Sequence, residues 1–331
     1  MIIRETLAAA CADLAAAGID TPSLDAQLLL ANVLKISRTS LAAHTSEPLS
    51  QENTEEFSAL VERRKKGECA AYILGKKEFR GLEFLVTPSV LVPRPDTETL
   101  VEAAIAVIKE QIRMRNEKLE MSNEKTESSD LSSANSIRVL DLCTGSGAVA
   151  VSLKNEMPWL DVHATDISHD ALETAEKNAK RLLGENRIRF YQGDLYDALP
   201  YSSLPIPHFS LLTPHSSPPI PNSSLLIPPS SFSLIVSNPP YIPTDEIKTL
   251  SAEVQNEPRL ALDGGKTGLE IISRIIEGSH NFLRRGGALL LEADPRQMEK
   301  IASLLAGKGY YDIKLYRDLG GHERVIGGIH E

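Results

Sequence analysis

An asparagine followed by two prolines and a tyrosine, Asn238-Pro239-Pro240-Tyr241, closes the apolar run "SLIVS" at 233–237. An amide at the end of a buried strand, beside a backbone carbonyl near Pro239, offers two acceptors to one planar NH2 group. Accepting both N–H bonds pushes electron density toward a nitrogen whose lone pair is otherwise delocalised into a carbonyl or a ring. The prolines restrict the backbone and remove its N–H donors, so the acceptors stay aimed. The Tyr241 ring could cover the flat face of the bound amide or base. Such a motif presents a poor nitrogen nucleophile to an electrophilic methyl group, with rate coming from orientation and desolvation. In isolation, Asn-Pro after a strand is also an ordinary turn.

A second constellation lies upstream in "VLDLCTGSGAVAV", residues 139–151. Gly145 and Gly147 allow a tight turn between a strand and a helix and let backbone N–H groups approach a ligand. As a bare pattern this also fits a dinucleotide fingerprint or a plain strand–helix turn. Its surroundings favour a different ligand. Asp141, at the strand's end, suits a cationic amino group better than a pyrophosphate. Asp166 ends the next strand, placed to accept from two ribose hydroxyls. Gly193-Asp194 ends a third, where a carboxylate could accept from an adenine amino group. Each acid alone reads more simply as a cap or loop residue. Three acids after three consecutive strands of one sheet point to one crevice, and S-adenosylmethionine matches it: adenine, ribose, a cationic end and no phosphate.

The elements that must position these residues follow from periodicity. The first 70 or so residues read as helices. Ile3, Leu7, Ala10, Leu14 and Ala17 recur at helical spacing up to Gly18, Ser23 precedes a leucine-rich helix, and Ser50 opens a third. The basic run 63–66 that closes the third reads as a solvated helix end. "KKEFRGLEFLVT" predicts a hairpin turning at Arg80-Gly81, and a helix with Leu100, Ala104 and Ile108 facing inward follows, capped by Asp96 or Thr97. From residue 137, strands alternate with helices, which predicts an α/β parallel sheet, and two closing strands only a few residues apart predict an antiparallel end. Residues 115–136 are polar with near-repeats, and 201–230 hold eight prolines and eight serines. Both read as disordered insertions without a core of their own.

Composition bounds the function. A hydrophobic fraction of 42% is ordinary for a globular chain, and 331 residues suffice for about two domains. A net charge of −10 suggests no broad grip on nucleic acid. Cys11, Cys69 and Cys143 lack metal-ligand spacing and read as reduced thiols of a cytoplasmic protein. Arg4, Glu5 and Asp13 interrupt the apolar amino terminus, so neither a signal peptide nor a membrane span is expected.

Asn238-Pro239-Pro240-Tyr241 after "DLCTGSG" is similar to the class of S-adenosylmethionine enzymes that methylate amino groups. "AYILGKKEF", "LVPRPDTETLVE", "NEPRLALDGGKTGLE" and "RDLGGHERV" narrow the likeness. Outside the two insertions, nearly the whole chain resembles the release factor glutamine methyltransferase family. The resemblance implies a Rossmann-like class I methyltransferase sheet, mostly parallel with an antiparallel last strand, and a small helical domain before it. The domains would be 1–73, helical and substrate-recognising; 74–95, hairpin and linker; and 96–331, catalytic, with insertions at 115–136 and 201–231. It implies methyl transfer to the side-chain nitrogen (N5) of the glutamine in the Gly-Gly-Gln motif of bacterial peptide chain release factors, with no metal, membrane or stable nucleic-acid partner. Cys143, Thr144, Gly145, Ser146 and Gly147 would form the cofactor loop, with Asp141, Asp166, Asp194 and Leu195 around it. Asn238, Pro239, Pro240 and Tyr241 would hold the glutamine, Asn238 also reaching the cofactor. Cys143 stands where many relatives have glycine, and Leu195 where some place an aromatic. The Pro93-Arg94-Pro95 segment matches the family and would line the crevice, with no chemistry assigned to it. The rivals are an N6-adenine DNA methyltransferase with the same motif, a dinucleotide-dependent oxidoreductase, and a non-catalytic S-adenosylmethionine-binding scaffold.

Overall fold

The computed structural model describes residues 1–121, 137–185, 187–200 and 227–331. Five helices come first: α1 (Ile3–Ala16), α2 (Pro22–Val33), α3 (Arg38–Ala43), α4 (Gln51–Lys65) and α5 (Ala70–Leu74). The apolar faces of α1, α2 and α4 meet through Leu14, Leu29, Leu30, Phe57 and Val61, a core separate from that of the sheet. Ser50 caps α4 as expected, its Oγ accepting from the Asn53 N–H at 3.2 Å. α2 instead begins at Pro22 after Thr21. A proline already holds the helical φ at a first position, so Ser23 is not needed as a cap. α3 and α5 are too short to show a 3.6-residue period and were not legible.

The basic end of α4 departs from a solvated tip. Arg64 is buried, its Nε donating to Asp25 Oδ2 and its Nη2 to Glu253 Oε2, both at 2.7 Å. It ties the helical region to the short helix at Ala252–Gln255, 189 residues on in the chain.

Next come β1 (Lys76–Phe79) and β2 (Leu82–Leu85), an antiparallel hairpin. Arg80 and Gly81 have φ of 50° and 74°. Two positive values are what a two-residue hairpin turn matched to strand twist requires. After a 3-10 turn at Pro95–Thr97, α6 (Glu98–Met121) buries Leu100, Ala104 and Ile108. This helix corrects the sequence reading, because residues 115–121 belong to it. Arg113 pairs with Glu110 at 2.6 Å and with Glu117 at 2.7 Å, contacts at helical spacing that support a polar helix with little to bury.

The other expected insertion is corrected at its end. Ile227 is buried and donates its N–H to Pro200 O at 2.9 Å, and Ser230 N–H bonds Asn281 O at 3.0 Å. Ile227 therefore belongs to the core, while Pro228, Pro229 and Ser230 form an exposed turn leading into the next strand. The remainder of both segments, 122–136 and 201–226, lies outside the described residues.

The rest alternates: β3 (Arg138–Leu142), α7 (Ala148–Glu156), β4 (Asp161–Asp166), α8 (His169–Leu183), β5 (Arg189–Gln192), β6 (Phe232–Ser237), the short α9 (Ala252–Gln255) and α10 (Arg259–Leu262), α11 (Glu270–Ser279), β7 (Leu283–Glu292), α12 (Met298–Gly307), β8 (Tyr310–Arg317) and β9 (Glu323–His330). Among the described residues these strands form a seven-stranded sheet in the order β5-β4-β3-β6-β7-β9-β8. β9 runs antiparallel to both β7 and β8, and the other pairings are parallel. α6, α7 and α8 cover one face and α11 and α12 the other, so β3 and β6 are buried on both sides. This is a Rossmann-like, doubly wound sheet. Chain order reverses between β3 and β6, and a crevice opens at such a switch point beyond the strands' carboxyl ends.

Candidate active site

Asp141 stands near the end of β3 and is 1% exposed. Its Oδ2 accepts from Thr144 Oγ1 at 2.7 Å and from the Ala150 N–H at 3.2 Å. Burial pushes its carboxyl up to about 7, against the pull of those two bonds, and the negative charge of Asp166 adds to the rise. The loop that follows turns through positive φ at Cys143 (59°), Gly145 (55°) and Gly147 (82°). At Gly147 a Cβ would stand 3.2 Å from that of Ala175 on α8, so glycine permits the close approach of α7 and α8. Cys143 adopts a left-handed conformation that costs an L-residue about 1–2 kcal/mol. Glycine would relieve that strain.

Asp166, at the end of β4, braces this loop. Its Oδ2 accepts from Gly145 N–H at 2.8 Å and its Oδ1 from Ser168 N–H at 2.9 Å. Burial raises its pKa, and the Ser168 and Gly145 bonds oppose the rise. After β5, Asp194 turns one oxygen to Arg274 Nη2 at 2.8 Å, and the buried Leu195 follows with φ of 52°.

Asn238 follows β6, whose last residue, Ser237, is pinned to β3 by its hydroxyl on Leu142 O at 2.8 Å. The Asn238 Nδ2 donates to Thr97 Oγ1 at 3.1 Å. Asp141, Cys143, Thr144, Gly145, Ser146, Asp166, Asp194, Leu195, Asn238 and Pro240 all line one cleft of about 410 Å³. That volume is in the range of small-ligand sites. Gly147, Pro239 and Tyr241 do not form its wall. Pro239 is buried, and Tyr241 packs on the core cluster of the α11–α12 face, its carbonyl accepting from Gln297 Nε2 at 2.9 Å. The expected cover by the Tyr241 ring is thus not displayed here.

A model of the PrmC N-terminal domain matches residues 5–75, and one of a methyltransferase domain matches residues 139–212. A release factor glutamine methyltransferase of Coxiella burnetii is 39% identical over 306 residues, 92% of this chain and 91% of that protein. The chain belongs to the release factor glutamine methyltransferase family. The Bordetella pertussis member is 36% identical over 93% of this chain and 94% of its own. That of Escherichia coli is 34% identical over 93% and 92%.

Sequence reasoning missed several parts of the wall. Thr97 faces the cleft rather than capping α6. Of the Pro93-Arg94-Pro95 segment, which the family likeness places at the crevice, Pro93 and Arg94 do line it, Arg94 paired with the buried Glu257. The wall's 258–261 stretch, which carries α10, has no motif signal beyond the family's own. Glu292, at the end of β7, is 1% exposed and lies next to Thr97 and Asn238. One signal could have found it: like Asp166, it is an acid closing an apolar strand of the same sheet.

Among the described residues no helix is long and apolar enough to cross a membrane, and no three His, Cys, Asp or Glu side chains cluster to hold a metal ion. All three cysteines are free.

Proposed function

We propose that the chain transfers a methyl group from S-adenosylmethionine to the side-chain amide nitrogen of the glutamine in the Gly-Gly-Gln motif of peptide chain release factors. Similarity along more than nine-tenths of the chain to proteins bearing that name carries this reading.

The donor set of the cleft fits the cofactor. Both bonds to Asp141 fall on Oδ2, leaving Oδ1 for an ammonium group. Asp166 retains lone pairs for ribose hydroxyls, and apolar Leu195 and Ile167 suit a ring. The three arginines of the wall are engaged, Arg94 by Glu257, Arg274 by Asp194 and Arg259 by Asp263, which does not suit a pyrophosphate. S-adenosylmethionine supplies a methyl on a sulfonium leaving group. Asn238, its NH2 end turned to Thr97, offers Oδ1 to the substrate amide N–H, and a carbonyl beside Pro239 offers a second acceptor. Held so, the nitrogen keeps its lone pair toward the cleft, and the enclosing walls exclude water. Residues 1–73 and the hairpin and linker at 74–95 would grip the release factor above domain 96–331.

The adenine methyltransferase reading shares Asn238 but has no counterpart to the family's helical amino terminus, and a net charge of −10 does not favour DNA. Purified enzyme with labelled cofactor tests the proposal. Label should enter a release factor carrying Gly-Gly-Gln and stop when that glutamine is alanine. Label in adenine-containing duplex DNA instead would overturn the proposal.

A further inference from the structure

Two of the parts that the sequence did not reveal, Thr97 and Glu292, meet behind Asn238. Glu292 ends β7 and β6 runs beside it, so its side chain comes up under the residue that follows β6. Oε2 of Glu292 is buried without a hydrogen-bond partner. A buried carboxylate so poorly supplied is costly, and such a group calls for an explanation. Burial pushes this carboxyl up to about 7; the neighbouring Thr97 hydroxyl, then Arg324 and the Asn238 amide, pull the other way, and the nearby Asp96 adds to the rise.

The chemistry of the three groups fixes a direction. An ionised carboxylate only accepts, so what faces it must donate. The Thr97 hydroxyl, already accepting from Asn238 Nδ2, has its own proton to give. The Asn238 NH2 carries a second proton. An amide can flip end for end at little cost in shape, and only its partners decide which end points where.

We propose that Glu292 is a positioning residue for Asn238: its carboxylate, directly and through Thr97, holds the NH2 end of the amide at the back of the cleft and so commits Oδ1 to the substrate. This rests on the reading of Asn238 given above, and explains why a charged group is retained under an otherwise apolar strand end. Glutamine at 292 can present either an NH2 or an oxygen to its neighbours, so it no longer dictates the direction of the Asn238 amide. The other charged or titratable groups around the carboxyl are Asp96, Arg324 on β9 and the Tyr241 phenol. Asp96 and Arg324 pair with each other at 3.0 Å. Burial moves the Tyr241 phenol upward, away from neutrality.

The first test needs no turnover. In isotope-labelled enzyme the Asn238 side-chain NH2 signals, identified by their loss in Asn238→Ala, should shift with pH with a midpoint near 7 and stay flat in Glu292→Gln. In kinetics, Glu292→Gln should lower kcat tenfold or more while leaving the cofactor Kd within twofold. Thr97→Val should do the same, and Thr97→Ser, which keeps the hydroxyl, should restore most of the rate. The Thr97 pair and the wild-type titration decide the matter even if Glu292→Gln folds poorly. Signals of Asn238 that ignore pH between 6 and 8, or Thr97→Val with unchanged kcat, would overturn the proposal. If the signals titrate but the wild type methylates no Gly-Gly-Gln factor, the substrate assignment fails and the positioning role stands.

Discussion

On the proposed reading, in which Asp141 pairs with the ammonium of S-adenosylmethionine, cofactor binding should pass through a maximum between about pH 7 and 8, because two groups with opposed proton demands must meet. Asp141 has to be ionised to pair with the ammonium of S-adenosylmethionine, and its carboxyl lies at about 7 in the free protein. An α-amino group titrates at about 7.7–8.0. The competent fraction is the product of ionised carboxyl and protonated amine. It is ~0.09 at pH 6, ~0.5 at pH 7.4 and ~0.2 at pH 8.5 if the amine titrates at about 7.8. Affinity should therefore rise about sixfold from pH 6 to 7.4 and then fall. At pH 6.5 about three-quarters of the Asp141 carboxyls are protonated, so binding should release ~0.7 protons.

Calorimetric titration in two buffers of different ionisation enthalpy reads that number directly. Asp141→Asn should bind more weakly, lose the acid limb and release no protons at pH 6.5. The sign for folding runs opposite. The folded pKa lies above the unfolded one, so this group's contribution to stability is complete below about 4 and is lost as pH rises through about 7. The free enzyme's Tm should lose part of its alkaline decline in Asp141→Asn. No proton release at pH 6.5, or an acid limb that persists in Asp141→Asn, would refute the pairing.

Asp166→Ala should weaken cofactor binding roughly tenfold to a hundredfold, about 1.5–3 kcal/mol, since it removes a ligand acceptor and the brace on Gly145 and Ser168 together. An unchanged Kd by calorimetry would remove Asp166 from the site. Asn238→Ala should abolish most methyl incorporation while sparing cofactor affinity, and a matched loss of both would show that the amide serves the cofactor instead. Arg64→Met should destabilise the protein by about 3–5 kcal/mol in urea unfolding, because Asp25 would remain buried without its cation. A loss under 1 kcal/mol would mean that water reaches the pair.

What the sequence displayed were features with a local period or a local turn. The alternation after residue 137 implied a parallel sheet because each strand and helix carries its own apolar pattern. Ser50 marks a helix start because a cap acts over three residues, and its Oγ does accept from Asn53 N–H at 3.2 Å. The acids of the cleft were legible for a related reason. Strands of one parallel sheet end at one edge, so a residue type repeated at strand ends becomes a cluster in space.

The rest was hidden for two reasons. The polar composition of residues 115–121 reads as an insertion, while ion pairs along one face support a helix there. Arg64 looked like the frayed end of α4, and its partners Asp25 and Glu253 sit 39 and 189 residues away in the chain. Thr97 reads, with Asp96, as a candidate helix cap, whereas it accepts from Asn238 across 141 residues. Neither of these long-range pairings leaves a periodic trace, because the partner is chosen by the docking of one element on another. Thr97 became a partner of Asn238 only when α6 packed across the face of the sheet and carried the 3-10 turn before it to the back of the cleft. Glu292 differs, since its strand and its place at the strand's end were both readable. Its missing signal was the identity of its neighbours, fixed by β7 lying beside β6 rather than at the sheet's edge. A sheet that adds strands outward from β3 on both sides must put β6 and β7 together. An acid closing β7 is thereby delivered to the back of whatever closes β6, and in this chain that is the asparagine whose orientation the proposed chemistry depends on.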